Sequence, residues 1–266
     1  MSLRVCACFF LLISSVESIA QQALAGRMSG TEGLYSHEPG IWAGDAYNAA
    51  LAFQKNTSVG FYGEKRFLSE LSYYGVLLDF LLSKQPFQIA YSSEGIPSMH
   101  SYCIGIATGK QVSSRLKIGL NAGYSAISVR GYPGTGSIKA GSSLLFQLNE
   151  HIRIGIQLNY LTSFLYNEGF PLTIRTGLGY RFSEFCAIFF ELTKEDGKSP
   201  LTDFGVYYAF HPKVYSRLGY CPALSLISFN IGYREQRFSA ELGQAIHLQL
   251  GSTWGIGLNY VFKPDE

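Results

Sequence analysis

Ile152-Arg153-Ile154-Gly155-Ile156-Gln157-Leu158-Asn159-Tyr160 sets large apolar side chains at every even position and polar or small ones at every odd position. Successive side chains of a strand point to opposite faces, so this segment has one greasy face and one wet face. A helix of about 3.6 residues per turn would scatter both sets around its circumference. Outward along the chain the pattern recurs. Leu172, Ile174, Leu178, Tyr180 and Phe182 alternate with Thr173, Arg175, Gly177, Gly179 and Arg181, and Trp254, Ile256, Leu258, Tyr260 and Phe262 alternate with Gly255, Gly257, Asn259 and Val261. The rule predicts fourteen strands, over 57–63, 70–80, 87–94, 100–109, 115–128, 136–148, 152–164, 172–182, 184–193, 201–211, 214–220, 224–234, 236–250 and 253–262.

Composition says which face meets water. Charged residues make up 15% of the 266, against roughly 25% in an ordinary soluble domain, while aromatics reach 15% and there are 29 glycines. A water-facing exterior would be short of charge. An all-β transmembrane antiparallel barrel of about fourteen strands, with lipid outside and water inside, accounts for both the alternation and the deficit. Bacterial barrels alternate short periplasmic turns with longer external loops. Short links at 149–151, 183–184, 211–213 and 235 interleave with longer ones at 129–136, 165–171 and 194–200; the short link at 251–252 breaks the parity. The competing architecture is an exported soluble barrel or sandwich with its polar face outward.

Residues 1–20 read as an export signal. Arg4 is followed by an apolar run over 5–16 and by Ser18-Ile19-Ala20, which predicts a mature start at Gln21 and a location in the cell outer membrane. Cys6 and Cys8 lie inside the apolar run, too early for a lipoprotein signal. Beyond it no apolar stretch reaches the roughly 18 residues of a helical span. Cys103, Cys186 and Cys221 lack the close spacing of a zinc site and read as small apolar residues, with a disulfide plus a leftover thiol as the other option.

Residues 21–56 do not alternate. They carry Gly33, Pro39, Gly40 and Gly44, then the run 45–53, in which Asp45 is placed to cap a short helix. Such a segment is either a plug in the lumen, with Asp45, Asn48, Leu51 and Phe53 as candidate plug residues, or a periplasmic tail. The barrel proper is predicted over 57–262, leaving 263–266 as a tail.

The search for chemistry finds no catalytic, cofactor or metal site. Of His37, His100, His151, His211 and His247, only His247 falls on a predicted inward face. Its same-face neighbours Glu241 and Ser239 are six and eight positions away, roughly 20 Å or more at about 3.3 Å per residue, too far for a relay. Gly131-Tyr132-Pro133-Gly134-Thr135-Gly136-Ser137 has the glycines of a phosphate loop without its lysine, and it precedes a strand rather than a helix. The formal charge of +2 is spread along the chain, which excludes a nucleic-acid partner. The predicted lumen is lined by Lys117, Asn121, Lys139, Arg153, Gln157, Asn159, Arg175, Asp203, Asn230, Arg234, Arg237, Glu241 and His247. Charges of both signs there either pair and close the lumen or form a polar path.

The segment Gly44-Asp45-Ala46-Tyr47-Asn48-Ala49-Ala50-Leu51-Ala52, followed by Tyr62-Gly63-Glu64-Lys65-Arg66-Phe67-Leu68-Ser69-Glu70-Leu71-Ser72-Tyr73 and then by alternating strands to the C-terminus, resembles the small Bacteroidota PorV/PorQ-like proteins. These are relatives of the long-chain fatty-acid (FadL-like) outer-membrane channels. The resemblance covers the whole mature chain, although the family's Asn-Pro-Ala-Gly-Leu-Ala is here Asn48-Ala49-Ala50-Leu51-Ala52. It implies a fourteen-stranded barrel with a lumenal N-terminal segment, in contact with outer-membrane lipid. For function it implies a non-enzymatic docking or accessory part in type IX secretion, partnered by secretion-system or secreted proteins. The alternative it implies is a channel that takes up a hydrophobic ligand.

Overall fold

The computed structural model describes residues 30–66, 71–163 and 172–262; the predicted signal and the 263–266 tail lie outside the described residues. Fourteen strands follow one another: β1 Ser58–Lys65, β2 Ser72–Leu82, β3 Gln85–Ile96, β4 Met99–Gln111, β5 Leu116–Val129, β6 Thr135–Gln147, β7 Ile152–Ser163, β8 Leu172–Arg181, β9 Cys186–Glu195, β10 Leu201–His211, β11 Val214–Cys221, β12 Leu226–Arg234, β13 Phe238–His247 and β14 Gly251–Val261. Each pairs antiparallel with its sequence neighbours, and β1 pairs with β14, from Ser58↔Val261 to Lys65↔Trp254. Closure leaves no strand edge unpaired, which is what a sheet in hydrocarbon requires. Because β1 begins where β14 ends, the barrel has a terminal end and a far end. No helix among the described residues is long and apolar enough to cross a membrane.

The alternation sorts the two faces as the sequence predicts. Ile104, Leu120, Phe204, Leu218, Phe229 and Trp254 point outward and are exposed, while Arg153, Gly155 and Gln157 of β7 point inward and are buried. At the terminal end, pairs such as Tyr180–Phe182, Tyr208–Phe210 and Tyr260–Phe262 meet edge to face with ring centres 4.6, 5.0 and 5.3 Å apart. At the far end Tyr102 and Tyr124 lie on adjacent strands. Amphipathic rings at both rims suit the headgroup layers.

Most strand ends differ from the sequence expectation by one to three residues, and two places are instructive. β2 and β3 run on to Leu82 and Gln85, joined by Ser83 and Lys84, both with positive φ (50° and 70°). That is the backbone of a two-residue hairpin turn usually written with Asn and Gly, so the residue types hide it. β13 stops short of the predicted 236–250. The His247 ring accepts the N–H groups of Gln249 and Leu250 at 3.1 Å each and closes a turn, and Arg237 lies exposed in the preceding turn instead of lining the lumen.

Residues 30–56 fill the terminal half of the lumen. They form two single-turn helices, α1 (Glu32–Tyr35) and α2 (Ala43–Ala46), and a 3-10 turn, Asn48–Phe53. Asp45 does not cap; it sits inside α2, whose N-cap is Trp42. The apolar core of the molecule is this segment against the inner wall. Leu34, Tyr35, Ala46, Tyr47 and Ala49 pack on Leu145, Ala187 and Phe189, and on the other side Ile41 and Trp42 pack on Tyr62, Leu77 and Ala245. Inward glycines make the room. A Cβ at Gly119 would come within 2.4 Å of Ala49 N and Asn48 C, one at Gly109 within 2.7 Å of Ala52 N, and those at Gly155 and Gly177 would strike Leu34 and Tyr47.

Candidate functional site

The plug is tied to the wall by polar anchors centred on Glu32, Asn48 and Gln88, and by Arg153. Glu32 of α1 accepts from Arg217 of β11 and, at 2.8 Å, from Arg234 at the end of β12, while the other Glu32 oxygen takes the N–H of Gly40. Arg217 is fully buried and also pairs with Glu241 of β13 at 2.9 Å. A single buried acid thus holds two wall cations, and each ion keeps a partner, which is the condition for burying charge.

The second anchor is amide chemistry. Asn48 opens the 3-10 turn, donates Nδ2 to Gly44 O, and through Oδ1 accepts from Asn121 of β5 (2.6 Å) and Gln157 of β7 (3.0 Å). Gln157 Oε1 accepts the Asn48 N–H in return, and the Ala49 N–H reaches Ser143 Oγ of β6 at 2.6 Å. The third anchor lies on the β2–β3 side. Gln88 donates to Ile41 O and to Asp79, and Gln54 donates to Asp79 where the plug runs into β1.

Below the amide ladder, Phe53 faces two cations, Lys117 Nζ at 4.2 Å and Arg153 Cζ at 4.6 Å from its ring centre. Arg153 Nη1 also donates to Gly33 O (2.7 Å) and Ser36 O (2.8 Å). His37 follows at the terminal mouth, where partial burial and then the nearby Arg181 and Arg153 charges hold its pKa below the usual histidine value.

Above the plug the described inner wall is less tightly filled. A Cβ at Gly105 would meet only the backbone of the adjoining strand, at 3.4 Å or more. Inward Ser101, Cys103, Gly123, Ser125, Ser137 and Lys139 are part-exposed, and Asp45 stands exposed on the plug's upper surface. Near the rim Arg66 pairs with Glu64 and Glu94. Among the described residues the far half of the lumen, its vestibule, has small, polar walls and a carboxylate in its floor.

Of the sequence-derived lumenal residues, Lys117, Asn121, Arg153 and Gln157 touch the plug. Asn159 accepts from Gln157 and Asn121, Arg175 pairs with Glu191 at 3.2 Å, Asp203 faces inward beside Glu191, and Arg234 and Glu241 belong to the Glu32–Arg217 network. His247 caps a turn at the far rim, and Arg237 lies outside the lumen. Of the plug residues, Asn48 and Leu51 are buried, Phe53 is part-buried and Asp45 is exposed. Of the lumenal ion pairs, the two made by Glu32 join plug to wall, while Arg175–Glu191 and Arg217–Glu241 link residues of nearby wall strands. Glu32 and Arg217 were not among the sequence candidates. Arg217 shares inward parity with Tyr215, Gly219 and Cys221, so alternation reaches it, whereas Glu32 lies in a segment with no period. Among the described residues no group of His, Cys, Asp and Glu is arranged to hold a metal.

No family model and no curated protein matches the chain. Solved structures do. The Ralstonia pickettii toluene transporter TbuX superposes with a TM-score of 0.61 at 10% identity over 85% of this chain and 95% of that one. The P. putida toluene transporter TodX gives 0.63 at 10% identity over 85% and 95%. The monoaromatic hydrocarbon channel CymD gives 0.59 at 13% identity over 88% and 97%. The fold is shared. At these identities the likeness is one of architecture, a closed fourteen-stranded barrel of the kind found in bacterial outer-membrane channels.

Proposed function

We propose that this protein is a non-enzymatic outer-membrane channel for uptake of small hydrophobic molecules, closed at rest by its own N-terminal segment. The observation that carries the reading is the division of the lumen into a far half that the described residues line with small, part-exposed side chains and a terminal half filled by a plug held through side-chain contacts. A solute admitted at the far end meets a barrier made of the chain itself. The solved neighbours that share the fold are named as transporters of toluene or monoaromatic hydrocarbons, which favours uptake over docking in secretion. The apolar exterior fits lipid, and the short turns at the terminal end fit a periplasmic orientation.

The test is accumulation of labelled toluene by cells of an outer-membrane uptake-deficient host carrying the chain, measured beside the variant Glu32→Gln/Arg217→Met. Accumulation above the empty-vector rate, raised further by the plug-loosened variant, supports uptake. Equal, background rates for both proteins, each present as a heat-modifiable band in the outer-membrane fraction, refute it.

A further inference from the structure

The most unusual electrostatic feature of the lumen is the pair Lys117 and Arg153. Both point inward from neighbouring regions of the wall, β5 and β7, and they are only 6% and 5% exposed. The other buried cations of the lumen wall, Arg66, Arg175 and Arg217, sit in ion pairs, yet among the described residues neither of these two cations has a carboxylate within ion-pair distance. Their distances to the Phe53 ring centre place the charges no more than about 9 Å apart. Arg153 Nη1 is occupied by two plug carbonyls, but its Nε–H is buried with no acceptor.

An aromatic face recovers only part of what a cation loses on leaving water, and two like charges in a low-dielectric pocket repel. Carbonyl oxygens satisfy hydrogens without neutralising charge. The pocket therefore carries uncompensated positive charge and a free, directed donor, the two features that a carboxylate or phosphate oxygen satisfies together. Phe53, part-exposed at the terminal end of the plug, is the cover.

We propose that Lys117 and Arg153, covered by Phe53, form an oxyanion-binding site at the junction of plug and wall. Its ligand is a carboxylate-bearing solute or free phosphate, bound through the Lys117 ammonium and the Arg153 guanidinium edge. Occupation competes with the cation contacts to Phe53, so anion binding loosens the last turn of the plug.

The test uses the full mature chain in detergent and does not depend on the uptake reading. Calorimetric titrations with inorganic phosphate and with benzoate are run at ionic strength held constant with chloride. Saturable binding of either anion, weakened about tenfold or more by Lys117→Met and by Arg153→Lys but not by Lys110→Met on the outer face, supports the site; the anion that binds identifies the source. In chloride alone Lys117→Met raises the unfolding temperature, because it removes an uncompensated charge, a result that a purely structural lysine would not give. Failure of both anions to bind, or equal binding by Lys117→Met or Arg153→Lys, overturns the proposal. Binding without any solute uptake by cells would sink the uptake reading and leave the site intact.

Discussion

Glu32 and Arg217 form a fully enclosed ion pair across 185 positions of sequence, joining the first turn of the plug to the inner face of β11. Arg217 has no route to water, so its charge is tolerable only while Glu32 and Glu241 face it. Arg217→Met leaves Glu32 with Arg234 alone and strips Glu241 of its guanidinium. Loss of one partner from such a buried pair costs about 3–5 kcal/mol. The denaturant midpoint of the heat-modifiable band falls accordingly, and Glu32→Gln/Arg217→Met falls by less than the sum of the single variants, because the two side chains share one interaction.

Two glycines at different heights make a matched pair of tests. Gly119→Ala drives a methyl into the plug backbone at Asn48 and Ala49, whereas Gly105→Ala places one in the vestibule. Overpacking of the first kind costs about 1–3 kcal/mol. Gly119→Ala exposes the plug to protease and lowers the unfolding midpoint, while Gly105→Ala leaves both unchanged or slightly improved. Equal behaviour of the two variants would mean that the plug does not rest on β5.

Leu34 is enclosed by glycine positions on β7 and β8, with Tyr47 and Leu145 beside it. Wall glycines have no side chain with which to fill a hole, so Leu34→Ala leaves a cavity that cannot collapse. The expected loss is about 2–5 kcal/mol of plug docking. Planar-bilayer recordings then show more frequent opening events than the parent chain, and unchanged conductance traces would argue that α1 bears no part of the barrier.

The depressed pKa of His37 sets a pH dependence. With the plug docked, burial and the Arg181 and Arg153 charges resist protonation, so the released segment binds more protons below the ordinary histidine value. Docking is fully stable above about pH 6.5 and weakens as pH falls through and below that value. His37 is exposed at the mouth, so the effect is small. His37→Gln flattens the profile, measured as protease susceptibility of the plug between neutral and mildly acidic pH.

The barrel was legible because period two is a strong signal wherever one face meets lipid. β7, β8 and β14 follow from alternation alone, and β10 coincides with its predicted span 201–211. The Ser83–Lys84 turn was not legible, since neither residue announces positive φ, and the end of β13 was lost to a hydrogen-bonding role of His247 that parity cannot see. Alternation placed Lys117, Arg153 and Gln157 inward but said nothing about what they touch. Their partners belong to a segment without periodicity, whose single-turn helices are fixed by the wall around them rather than by their own propensity. Glu32 could be found only once that wall was built.

Both ends of the plug lie at the terminal end of the barrel: Gly33 is held by Arg153 near the start of β7, and Gln54 bonds Ser58, the first residue of β1. The segment between them takes part in no inter-strand ladder. A pull on the chain before Gly30 therefore acts like a thread drawn from an open sleeve, peeling the Glu32, Arg153 and Asn48 contacts in turn while every seam between strands stays loaded in its strong direction. The force that uncorks the lumen is set by side-chain contacts broken singly, and the closed sheet survives the event to be resealed when the thread is let go.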